Sequence, residues 1–206
     1  MLHKLKGVYV ITIENKKLKR SHINVCQAAL KGGATTIQYR EKKKAFYKML
    51  EEARKIKELC QKNNATFIIN DSIELAKIIN SDGLHLGQDD EDFKKARRIL
   101  PGKLIGLSAT TLREAINAEA VGADYIGAGP VFATPSKEDA APPFGLETLA
   151  KIKEHVSIPV VAIGGINQEN AKSVRDAGTD AIAVISAVSG QKDMTEATEK
   201  LVRIIN

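Results

Sequence analysis

The sequence predicts a closed (β/α)8 barrel, and three observations carry that reading. Short β-branched apolar runs alternate with longer amphipathic runs, there are eight of each, and polar residues collect just after the apolar runs. Strands alternating with helices argue for a parallel sheet. Eight such units are the count that closes it into a barrel. The chain has 206 residues, enough for one domain with a core. Residues 1–206 therefore read as a single catalytic barrel, with loops shorter than those of the typical ~250-residue case. A doubly wound open sheet is the alternative.

Strands are expected at 8–13, 35–39, 66–69, 83–86, 104–107, 125–128, 159–163 and 181–185. Each is almost continuously apolar, as strands buried on both faces are. Helical periodicity falls at 22–31, 44–63, 71–81, 91–100, 111–121, 146–155, 167–177 and 194–205. Thr111 with Glu114 reads as a capping box, and Asp71 with Glu74 as a looser one. Asn167 reads as an N-cap, and Gly122 and Gly178 as glycines just past helix ends.

Composition narrows the function. The formal net charge is +6, but Lys and Glu interleave along 46–62, the pattern of a solvated helix face. Aromatic residues make up only 4% of the chain, which leaves few platforms for base stacking. Nucleic acid is thus set aside as a partner in favour of small anionic molecules. No apolar run approaches the ~20 residues of a membrane span, and the N-terminal segment lacks the features of a signal peptide. Cys26 and Cys60 lie in separate helical patterns without metal-type spacing, and read as reduced, buried thiols. A cytoplasmic protein is expected. A homo-oligomer is compatible with these features and required by none of them.

In such a barrel the site forms at the C-terminal strand ends. The residues found there are Gln38-Tyr39-Arg40-Glu41-Lys42, Asn70-Asp71, Gly87-Gln88-Asp89-Asp90, Ser108, Gly129 through Lys137, Gly164-Gly165 and Ile185-Ser186. The glycine pair and Ser186 fall at the usual phosphate corner of the fold, where glycines let backbone N–H groups approach an anion. Asp71 and Asp90 could share one Mg2+, with water and substrate oxygens completing its shell. Both also precede helices and could be plain N-caps. Arg40 and Lys42 beside them favour a metal-bound diphosphate. His85 reads as a satisfied core histidine, and His3, His22 and His155 as peripheral. No Ser-His-Asp arrangement or HExxH is present, so a hydrolase has little support.

These segments, together with His85-Leu86-Gly87, Gly106-Leu107-Ser108, Asp124-Tyr125-Ile126-Gly127, Val161-Ala162-Ile163-Gly164-Gly165-Ile166 and Ala183-Val184-Ile185-Ser186-Ala187, occur in the order and spacing of one family. Over nearly its whole length the chain resembles thiamine phosphate synthases. The resemblance implies a coupling of hydroxymethylpyrimidine diphosphate with a (carboxy)thiazole phosphate, releasing pyrophosphate and CO2. It assigns the pyrimidine diphosphate to the 38–42 segment (Gln38, Tyr39, Arg40, Glu41, Lys42) and to Asn70, Ser108 and Lys137. It assigns the thiazole phosphate to Thr134, Pro135, Ser136, Gly165, Ile185 and Ser186, and Mg2+ to Asp71 and Asp90. Arg40, Lys42, Ser108 and Lys137 are the residues it implies for catalysis. Three rivals use the same phosphate corner: a thiazole tautomerase paralogue, a sugar-phosphate epimerase or isomerase, and a non-catalytic barrel that binds phosphorylated ligands.

Overall fold

A computed structural model describes residues 5–87, 92–134 and 141–206. Eight parallel strands close into a barrel in sequence order: β1 (Gly7–Thr12), β2 (Thr36–Tyr39), β3 (Thr66–Asn70), β4 (Gly83–Leu86), β5 (Leu104–Ala109), β6 (Tyr125–Ala128), β7 (Val160–Ile163) and β8 (Ala181–Val184). Closure is made by β1 pairing with β8, Val8 lying opposite Ile182. The helices are α1 (His22–Lys31), α2 (Phe46–Lys62), α3 (Ile73–Ile79), α4 (Phe93–Ile99), α5 (Leu112–Ala120), α6 (Gly145–His155), α7 (Ala171–Asp176), α8 (Ser186–Ser189) and α9 (Met194–Ile205). The expected barrel is the observed fold, and no described helix is long and apolar enough to cross a membrane.

Successive strand residues point to opposite faces, and here both faces are buried. Val8, Val10, Ile37, Phe67, Ile69, Leu84, Ile105, Ile126 and Ile182 belong to the layer between strands and helices. Tyr9, Ile11, Ile68, Leu104, Tyr125, Val161 and Ala183 form a second cluster inside the barrel. This is why the strands read as unbroken apolar runs. Cys26 and Cys60 are free and buried, and contact with Cys26 together with burial pushes the Cys60 thiol up.

Tyr125 and His85 need more interior space than a barrel of this size provides, and glycine supplies it. A Cβ on Gly106 would meet the Tyr125 ring, and one on Gly127 would lie 2.8 Å from Cε1 of His85.

Three of the expected helix caps are arranged differently. The cap of α3 is Ser72, which accepts from Leu75 N–H, while Asp71 sits before it at φ 63°. Thr111 caps α5, but Glu114 turns back to the Thr110 N–H and hydroxyl (2.6 and 2.9 Å), so only half of a box forms. Asn167 does not start α7. Its side chain accepts from Glu169 N–H in a local turn, and the helix begins after Asn170. Gly122 and Gly178 do take positive φ just past α5 and α7. The four-residue α8 carries no periodic signal and was not anticipated.

Gly106→Ala is expected to lower unfolding stability by about 1–3 kcal/mol, the usual cost of overpacking a filled interior. An unchanged denaturant midpoint would show that the Tyr125 ring can move aside freely.

Candidate active site

One pocket opens at the C-terminal ends of the strands. From β2 and its loop it is lined by Gln38, Arg40 and Lys42. Asn70 and Asp71 follow from the end of β3, then His85 from β4 and Ser108 from β5. Across the mouth stand Thr134, Gly164, Gly165, Ile185 and Ser186. Strand parity turns Gln38 of β2 inward and its neighbour Tyr39 outward, and beyond the strand end Arg40 and Lys42 line the pocket while their neighbour Glu41 does not.

Tyr39 and Glu41 are those neighbours, and the structure does not bring them into the pocket. The Tyr39 hydroxyl donates to Glu52 of α2 at 2.7 Å. The Glu41 carboxylate accepts from the N–H groups of Lys43 (2.7 Å) and Lys44 (3.3 Å) and lies 3.2 Å from His22 Nε2. Asp90, Pro135, Ser136 and Lys137 lie outside the described residues.

The charged groups suit an anion. Lys42 Nζ is 3.0 Å from a carboxylate oxygen of Asp71. Arg40 has no ion-pair or hydrogen-bond partner among the described residues. Asp71 holds a left-handed backbone conformation, uncommon for a residue with a Cβ, and its N–H donates to the His85 carbonyl at 2.9 Å. Such backbone tension collects at functional sites. Gly164 and Gly165 have φ of 99° and 64°, and a Cβ on Gly165 would lie 2.6 Å from the Ala133 carbonyl oxygen. Only glycine allows these two loops to approach so closely.

The floor of the pocket is a chain of hydrogen bonds that crosses the barrel. Gln38 Nε2 donates to the Tyr9 hydroxyl at 2.7 Å. The Tyr9 and Tyr125 hydroxyls are 3.2 Å apart, Tyr125 lies 3.1 Å from His85 Nδ1, and His85 Nε2 lies 3.1 Å from Ser108 Oγ. Burial raises both phenols above their ordinary range, so they remain protonated. Either phenol can donate between Tyr9 and Tyr125, and both ring nitrogens of His85 have a hydroxyl partner, Tyr125 at Nδ1 and Ser108 at Nε2. His85 is therefore a satisfied histidine, as expected, and it also lines the pocket. Tyr9 and Tyr125 were not singled out in the sequence. The available signal was a phenol at an inward-facing position of an otherwise apolar strand.

His22 is the clear correction to the sequence reading: it is fully buried. Its Nδ1 is 2.9 Å from Thr12 Oγ1, and its ring packs on Tyr39 with centroids 4.7 Å apart. Burial lowers the imidazole below its ordinary value, against the opposing pull of Glu41 and Glu52. Burial pushes the Glu41 carboxyl up, but hydrogen bonds from Lys43 N–H and His22 outweigh it and leave the group below the usual range.

A (β/α)8 barrel with a pocket at its C-terminal mouth that holds Arg40 and Lys42 is the class that this fold and site define. A family model for thiamine monophosphate synthase matches residues 8–188. A thiamine-phosphate synthase of Chloroflexus aurantiacus is 47% identical over 199 residues, covering 97% of this chain and 92% of that protein. One from Methanocella arvoryzae is 48% identical over 200 residues, covering 97% of this chain and 94% of its own. A solved thiamine phosphate pyrophosphorylase from Pyrococcus furiosus superposes with a TM-score of 0.91 at 45% identity, covering 98% of this chain and 96% of the other. The chain belongs to the thiamine monophosphate synthase family. An N-acetylmannosamine-6-phosphate 2-epimerase from Clostridium perfringens, at 20% identity and a TM-score of 0.69, shares the fold alone.

A buried imidazole with a lowered pKa contributes stability that is complete above its unfolded value. That contribution is lost as pH falls from there toward the folded value. The melting temperature is expected to drop below about pH 6.5, and to drop less steeply in His22→Gln. Identical pH slopes for the two proteins would contradict the buried neutral state of His22.

Proposed function

We propose how the chain carries out the thiamine phosphate synthase activity of its family, a transferase reaction. In the proposed path the C–O bond between the pyrimidine methylene and the diphosphate breaks, and pyrophosphate leaves with the bonding electrons. The aminopyrimidine ring delocalises the positive charge left on the methylene carbon. The ring nitrogen of the thiazole phosphate then forms the new C–N bond with its own lone pair, so no general base is required for this step. Where the thiazole carries a carboxylate, loss of CO2 leaves the C–C bonding electrons on the ring carbon, which takes up a proton from solvent to give the C–H of the product. The products are thiamine phosphate, pyrophosphate and CO2.

The observation that supports this reading is one pocket with polar groups suited to an anion on each side. Gln38, Arg40, Lys42 and Asn70 line one wall; Thr134, Gly165, Ile185 and Ser186 line the other. We assign the diphosphate to the first wall and the thiazole phosphate to the second, next to the short helix typical of phosphate corners in this fold. Ser108, oriented by His85, would meet the pyrimidine, with Lys137 as a further contact to the diphosphate. Pro135 and Ser136 would continue the thiazole loop. Arg40, Lys42 and Lys137 would stabilise charge on the departing pyrophosphate, where it develops in the transition state. The pocket's main contribution is to hold two substrates with their reacting atoms adjacent.

Asp71 fits a magnesium ion. Its carboxylate is a hard oxygen donor at the pocket edge, beside the wall assigned to the diphosphate. Asp71 and Asp90 would hold the ion, which when bound would supply positive charge to offset the negative charge of the pyrophosphate. Tyr39 and Glu41 would serve the site from outside the pocket. We read the chain as one catalytic domain of the cytoplasm, with small anionic molecules rather than nucleic acid as its partners. Thiazole isomerisation is not favoured, because it would leave Arg40, Lys42 and Asp71 without a task.

Purified protein mixed with Mg2+, the pyrimidine diphosphate and the thiazole phosphate is expected to give thiamine phosphate by mass spectrometry, and none with EDTA or in Asp71→Ala. Arg40→Ala should lower kcat/KM by about 100-fold or more, the scale of losing one preorganised donor to developing charge. No product from folded wild-type protein would refute the synthase reading.

A further inference from the structure

We infer that Glu41 is a positioning residue: anchored outside the barrel, it fixes the loop that presents Arg40 and Lys42 to the diphosphate. The inference rests on the synthase reading and deepens it, by giving a task to the one residue of the 40–42 segment that faces away from the pocket.

The six residues 40–45 between β2 and α2 carry both cations of this wall. A helix start usually ties such a loop down through a side-chain cap, but Ala45, at the N-cap of α2, has none. Glu41 supplies the tie. Its carboxylate closes the turn by accepting from the N–H groups of Lys43 and Lys44, at 2.7 and 3.3 Å. Only 10% of its side chain is exposed, so these bonds are shielded from water.

The carboxylate is itself held from several elements. His22 of α1 lies 3.2 Å away and is braced by Thr12 at the end of β1. Thr12 Oγ1 is also 3.2 Å from the Gln38 carbonyl oxygen, which links the bracket back to β2. Lys44 Nζ sits 3.9 Å from Glu41, 2.8 Å from Glu14 and 2.5 Å from Glu52 of α2. Glu52 in turn accepts from Tyr39. Burial alone would favour the neutral lysine, but Glu14 and Glu52 outweigh it and keep Lys44 charged.

Arg40 and Lys42 lack such anchors. Arg40 has no partner among the described residues, and Lys42 has the ion pair with Asp71. Their approach to an anion is therefore set by the backbone on either side of Glu41. Three carboxylates around one lysine form a poor device for stability alone. At the root of this loop they act as a bracket, and a preorganised backbone spares two flexible cations part of the ordering they would otherwise undergo on binding.

The test measures magnesium pyrophosphate binding by calorimetry and the KM of each substrate in wild type, Glu41→Ala, Glu41→Gln and a buried control, Leu201→Ala. Glu41→Ala is expected to weaken pyrophosphate and raise KM for the pyrimidine diphosphate by about tenfold, the scale of one lost hydrogen bond to a charged group. The KM for the thiazole phosphate should stay within about twofold, since its wall lies across the pocket. Glu41→Gln should recover most of the loss, because its amide oxygen can still accept from Lys43 and Lys44. Leu201→Ala should lower the melting temperature and leave both KM values alone. Should Glu41→Ala fail to fold, Glu41→Asp, with its shorter reach, carries the same expectation. Equal rises in both KM values, no rise in either, or no pyrophosphate binding by the wild type would overturn the positioning role. If the wild type makes no thiamine phosphate yet binds pyrophosphate and Glu41→Ala loses it, the positioning role stands and the synthase reading falls.

Discussion

Strand parity in a closed barrel is the constraint on which the site depends. A side chain on a barrel strand faces either the interior or the helices, and registration with both neighbours removes any freedom to slip. On β2 this sends Gln38 inward and Tyr39 outward, and the alternation continues through Arg40, Glu41 and Lys42 beyond the strand end. One five-residue segment thus contributes both to the lining of the pocket and to the polar cluster behind it. The same parity brings Tyr9, His85, Ser108 and Tyr125 to the barrel interior from four different strands.

Interior polar groups must be satisfied or they cost stability. For the polar groups beneath the pocket, a chain of contacts from Gln38 to Ser108 meets this demand, while the buried Thr66 Oγ1 is left without a hydrogen-bond partner among the described residues. The chain fits only because β5 and β6 carry glycine where the rings of Tyr125 and His85 need room. Stability and recognition are coupled here: the groups that fill the lower barrel also orient the serine on the pocket floor.

Much of this was legible from the residues. Eight apolar runs predict the barrel because both strand faces are buried, and strand ends predict the mouth because the fold gathers its site there. Gln38, Arg40, Lys42, Asn70, Asp71, Ser108, Thr134, Gly165, Ile185 and Ser186 do line one pocket. The structure sends Tyr39 and Glu41 elsewhere, because a motif read as a contiguous string carries no parity until the strand is placed. His22 looked peripheral because it begins a helix, a position usually near solvent. Nothing local shows that Thr12 and Glu41 close over its ring. Thr111 caps α5 as expected, but Asp71, which has the chemistry of a cap, cedes that role to Ser72 through its left-handed backbone.

If the two sides of the pocket hold the diphosphate and the thiazole phosphate across a polar floor, a crystal structure with thiamine phosphate and magnesium pyrophosphate will show it most directly. Pyrophosphate is expected against Arg40 and Lys42, the pyrimidine over Ser108 and His85, and the thiazole phosphate at Gly165 and Ser186. Product bound in the reverse orientation, or outside this pocket, would contradict this placement.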